Sequence, residues 1–91
     1  MTSKGREKLW KQLQTVDAVQ IDGGDILVDW HDKGDVIEYK WDDGGFNLFS
    51  VAIRRDEVLA FAKVEGNEIV VCDTDNTKVR LRLMNFVNVL P

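Results

Sequence analysis

The sequence predicts an α+β domain: an N-terminal amphipathic helix followed by a curved antiparallel sheet of about five to seven strands. Three observations lead there. Apolar residues near the N-terminus recur at helical spacing. After Asp17 the apolar period changes to two. The apolar runs beyond are short and divided by Gly- and Asp-rich turns, leaving no room for a crossover helix, so neighbouring strands should run antiparallel. The 91 residues suit one domain, 1–91, with the helix over about 3–17 and the sheet over about 18–90. A sheet of this size tends to curl, and closure into a small barrel would remove its edges.

The helix rests on Leu9, Leu13 and Val16 at i, i+4 and i+7, with Trp10 beside them. Lys4, Arg6, Lys8 and Lys11 lie mostly off that stripe. Ser3 is placed to act as N-cap. Gly5 weakens the first turn, and basic charge at a helix start opposes the dipole, which favours a start a few residues later.

Val19 and Ile21 begin the alternation, and Asp22-Gly23-Gly24-Asp25 reads as a hairpin turn. Ile26, Val28 and Trp30 share one face of the next strand. His31-Asp32-Lys33-Gly34-Asp35 turns the chain into Val36–Trp41, with Ile37, Tyr39 and Trp41 on one face and Glu38 and Lys40 on the other. Asp42-Asp43-Gly44-Gly45 closes that strand. Phe46 and Leu48 alternate, then Phe49, Val51 and Ile53 alternate in the opposite phase, so a bulge near Leu48 or burial of both faces is expected. Arg54-Arg55-Asp56-Glu57 reads as a turn, and Val58–Val64, apolar on both faces, as a central strand. Glu65-Gly66-Asn67-Glu68 turns into Ile69–Cys72, and Asp73-Thr74-Asp75-Asn76-Thr77 turns again. Val79, Leu81 and Leu83 then point inward with Lys78, Arg80 and Arg82 outward. Phe86–Leu90 reads as a last short strand.

Two stretches carry a family resemblance. Gly34-Asp35-Val36-Ile37-Glu38-Tyr39-Lys40-Trp41-Asp42-Asp43-Gly44 resembles the first hairpin of Tudor-type SH3-like barrels. Asp73-Thr74-Asp75-Asn76-Thr77-Lys78-Val79-Arg80-Leu81 resembles their later turn and strand. The resemblance spans about 20 of the 91 residues and is mostly turn chemistry. The resemblance implies a small SH3-like barrel. It does not extend to methyl-lysine binding, because the aromatic pair that follows the first turn in those barrels is missing and the intervening stretch is longer.

Chemistry-bearing residues are sparse. His31 is the one histidine, and Cys72, the one cysteine, sits in an Ile-Val-Val-Cys run that suits a buried small hydrophobe. A nucleophile needs a base and an orienting group, and no such set is visible, so no catalytic residue is assigned and the chain is not expected to be an enzyme. Asp29, His31, Asp32 and Asp35 fall within seven residues, but turns collect aspartate for backbone reasons, and no metal is assigned. Asp73–Thr77 superficially resembles a calcium loop, yet Lys78 stands at the sixth position where glycine is needed and Met84 at the twelfth where glutamate is needed. Gly23-Gly24 and Gly44-Gly45 lack the Lys-Ser/Thr and helix of a phosphate loop. Asp42-Asp43 sits on a turn, with no cleft to make it a catalytic pair. No cofactor is called for.

Charge is unevenly placed. Residues 1–12 carry +3, residues 13–50 carry −7, residues 51–77 carry −3 and residues 78–91 carry +3, which sum to the net −4. Direct nucleic-acid binding through Lys78, Arg80 and Arg82 works against this acidic middle and is not expected. Without a signal sequence or a membrane-spanning run, a cytoplasmic location is expected by default.

The expected function is therefore a small protein-interaction or binding module, without enzymatic activity, whose partner is another protein or a second copy in a homo-oligomer. The candidate contact surface is Trp30, His31, Tyr39, Trp41, Asp42 and Asp43: aromatic residues on neighbouring strands beside acidic turns. Two alternatives belong to other classes. One is an acidic inhibitor of a nucleic-acid-processing protein carried on a phage or mobile element. The other is a small ligand-binding or enzymatic barrel built around His31 and its aspartates.

Overall fold

A computed structural model describes residues 2–32, 34–41 and 49–85. Helix α1 spans Ser3–Thr15. Its N-cap is Thr2, one residue before the serine expected in that role, and the Thr2 hydroxyl accepts the Gly5 N–H at 3.0 Å. The helix stops two residues short of Asp17 because Val16 turns extended while its N–H still closes on the Gln12 carbonyl. Leu9, Trp10 and Leu13 form its buried stripe, and Val16 is buried just beyond it.

Strands β1 (Ala18–Ile21), β2 (Ile26–Asp32), β3 (Val36–Trp41) and β4 (Phe49–Arg54) form one antiparallel meander. The β1–β2 turn has positive φ at both Asp22 and Gly23, the requirement of the tight hairpin turn that matches strand twist. Helix α2 (Arg55–Phe61) follows, then β5 (Lys63–Glu65), β6 (Glu68–Cys72) and β7 (Lys78–Met84). Every strand pair is antiparallel, in the order β4-β3-β2-β1-β7-β6-β5. The α+β class, the leading helix and the antiparallel sheet stand as the sequence predicted.

One stretch does not. Arg54–Glu57 is not a simple turn, and Val58–Val64 is not a central strand: α2 occupies most of both, and β5 is a three-residue edge. Asp56 and Glu57 lie in the first turn of α2, where acids suit the helix dipole, and Val58 and Ala62 are buried four residues apart. The expected turn at Asp42–Gly45, the bulge near Leu48 and the strand Phe86–Leu90 lie outside the described residues.

The position of α2 explains the curvature. It links β4 and β5, the two edges of the sheet. Seven helical residues advance only about 10 Å, whereas seven strands laid flat span about 29 Å between edges. The sheet must curl to bring its edges within reach, and it does so as a half-barrel. The N–H of Thr74, in the β6–β7 turn, completes the approach by bonding the Ala52 carbonyl of β4 at 2.9 Å. The concave face and the two helices enclose one core, including Leu13, Val19, Leu27, Ile37, Tyr39, Ile53, Val58 and Leu81.

Candidate functional site

Two faces of β2 have opposite fates. Leu27 points into the core, fully buried. Ile26, Val28 and Trp30 point outward and are 45%, 47% and 51% exposed. The strand's register with β3 pairs Val28 with Lys40 and Trp30 with Glu38, so all four side chains stand on the same outer face. Lys40 lies over the Trp30 ring with Nζ 4.1 Å from its centroid, and reaches Glu38 at 3.4 Å. A cation over an indole is favourable by roughly 0.5–1 kcal/mol at an exposed site. On the other side, β1 places Ala18 beside Val28 and Gln20 beside Ile26. The result is an apolar row bordered by Glu38 and Lys40 on the β3 side and by the buried Ala18 and by Gln20 on the β1 side.

The residues expected to share one contact surface are split between the two faces. Trp30 is on the outer surface. Tyr39 is fully buried on the inner face, and Trp41 packs half-buried against the same core. Neither forms a patch with Trp30, because β2 and β3 are registered with Trp30 opposite Glu38 and Tyr39 opposite Asp29. Asp42 and Asp43 lie outside the described residues.

Tyr39 and His31 serve the end of α1. A helix leaves its last four carbonyls without intrahelical partners. The Tyr39 hydroxyl donates to the Leu13 carbonyl, and His31 Nε2 stands 2.7 Å from the Gln14 carbonyl. His31 Nε2 also lies 3.1 Å from Asp29 Oδ2. Both neighbours accept, so Nε2 carries the hydrogen and shares it between them. Burial, and then the nearby Asp29 carboxylate, push the Tyr39 phenol well above its ordinary value. Strand side chains thus close the helix end.

A cleft of about 340 Å³ opens where α1, the β2–β3 turn and α2 meet. Glu7, Lys11, Asp35 and Arg55 border it and Trp10 forms part of its wall. Its lining includes neither His31 nor Cys72. Among the described residues, no three His, Cys, Asp or Glu side chains gather as a metal site. Asp73, in the stretch resembling a calcium loop, instead accepts the N–H groups of Asp75 and Thr77 at 2.8 and 2.9 Å, as turn aspartates do. Cys72 is half-buried. Arg80 on β7 is tied to Glu65 at 2.9 Å and Glu68 at 3.5 Å, which neutralises the centre of the basic row. No described helix is long and apolar enough to cross a membrane.

Ile26, Val28, Glu38 and Lys40 were not among the expected contact residues. The alternation on β2 was readable, but alternation alone does not say which phase faces the core. Comparison of the chain with known protein families, with characterised proteins and with solved structures finds no match.

Proposed function

We propose that the chain is a non-enzymatic protein-interaction module of the cytoplasm, and that it meets its partner through the outer face of β2. The observation that carries this reading is the row Ile26–Val28–Trp30. Three large apolar side chains stand half exposed on one sheet face while the opposite face already has a complete core. Single exposed hydrophobics are ordinary on a protein surface, but a contiguous row with a charged border on β3 is the composition of a contact surface. Trp30 adds the residue type that most often dominates such contacts. The single histidine supports the same reading, since its ring is engaged with the end of α1 rather than turned toward the cleft.

Photocrosslinking tests it. A benzophenone side chain at position 30 and, separately, at the exposed Lys8 of α1 would be irradiated in expressing cells, and the adducts identified by mass spectrometry. The expected result is one discrete adduct from position 30, with another protein or with a second copy, and none from position 8. No adduct from position 30, or equal labelling from both, would remove the outer face of β2 from consideration.

A further inference from the structure

Resting on the reading of this face as a contact surface, we infer that its occupant is a second copy of the chain, docked sheet to sheet about a two-fold axis. The register of β2 with β3 makes this face complementary to itself. Val28 and Lys40 are one cross-strand pair, and Trp30 and Glu38 are another two residues along the strands. The four residues therefore mark the corners of a rectangle on the backbone, apolar on the β2 side and oppositely charged on the β3 side, and Lys40 would swing from the Trp30 ring and its own Glu38 to reach a second copy. A two-fold axis between two such faces, running across the strands midway between the pairs, keeps β2 over β2 and β3 over β3 while reversing strand direction. It sets Val28 against Trp30 of the second copy, and Lys40 against its Glu38, each contact occurring twice.

This is the self-complementarity that a closed symmetric dimer requires. Facing sheets pack about 10 Å apart, a gap that opposed lysine and glutamate side chains bridge. The apolar row alone is smaller than a standard interface, which takes about 800 Å² from each partner. The charged border on β3 must therefore join the contact, so the signs of Glu38 and Lys40 decide whether a second copy fits. They do fit: the geometry opposes no like charges at these four positions. A small, partly polar contact of this kind gives a dimer that exchanges with monomer.

The signs supply the experiment. Lys40→Glu would set two glutamates against each other at both ends of the contact, and Glu38→Lys would set two lysines there. An equal mixture of the two variants would form a mixed dimer in which every such contact is again opposite in sign. Sedimentation velocity over a concentration series should show concentration-dependent dimerisation of the wild type. Each single variant should be weakened by about tenfold or more, and the mixture should recover wild-type association. Circular dichroism of each variant checks that the fold is kept, and the recovery itself requires two folded partners. A wild type that stays monomeric, or single variants that dimerise as the wild type does, would overturn the inference. If the wild type is monomeric but position 30 still crosslinks to a different protein, the second copy is excluded and the contact surface remains.

Discussion

The hydroxyl of Tyr39 lies deep in the half-barrel, where a polar group is costly unless it is bonded. It has one described partner, the Leu13 carbonyl, and that carbonyl is one of the orphan groups at the end of α1. Tyr39→Phe should therefore cost about 1–2 kcal/mol at neutral pH, since the carbonyl is left buried without its donor. The phenol also makes a pH statement. Its folded value is raised above the ordinary 10.0. The stability linked to its proton is complete below pH 10 and is lost as pH rises above 10 toward the folded value, by about 1.4 kcal/mol per unit. Urea titrations at pH 8 and pH 11 should show the gap between wild type and Tyr39→Phe closing at the higher pH. A constant gap would mean that the phenol is not held protonated by the fold.

At the scale of the element, β2 shows how a strand hides its orientation. Its inner phase reads Leu27, Asp29, His31 and looks polar, while its outer phase reads Ile26, Val28, Trp30 and looks like core. His31 points inward beside the open Gln14 carbonyl of α1 and Asp29 points inward against His31, and nothing in the local sequence reveals that the helix end lies there. The pairing of β2 with β3 was legible, and with it the separation of Ile37, Tyr39 and Trp41 from Glu38 and Lys40. Adjacent substitutions expose the orientation. Leu27→Ala should cost about 2–5 kcal/mol, whereas Val28→Ala should cost under about 1 kcal/mol in the same urea titration. Equal losses would put both faces of β2 in a core. Helix α2 was hidden for a different reason. Seven residues rich in apolar side chains resemble a buried strand, and only the four-residue spacing of Val58 and Ala62 behind Asp56-Glu57 marks the helix.

For the whole molecule, the decisive fact is that its two sheet edges are held near one another. Val58, fully buried, anchors the helix that joins them, and the Thr74–Ala52 hydrogen bond spans the remaining approach. Val58→Ala should destabilise the chain by about 2 kcal/mol and speed amide exchange at Thr74. Unchanged protection at Thr74 would show that the edges stay together without α2. Antiparallel pairing and curvature followed from the short connections, but the strand order did not, since short connections alone would also allow a simple meander without the β1–β7 pairing. The identity of the closing element did not, because it depends on how far apart the edges end in space.

The central seam of the sheet has a consequence for how the chain reaches this shape. Strands β1 to β4 pair only with sequence neighbours, and so do β5 to β7, but Ala18 must find Met84 before the two meanders become one sheet. That single long closure carries most of the search, and it is entropically dearer than any hairpin. Until it forms, β1 and β7 are unpaired edges, open to the wrong strand as readily as to the right one. The interval before this closure is therefore when the nascent chain is most exposed to aggregation, even though both strands end in the middle of the finished sheet.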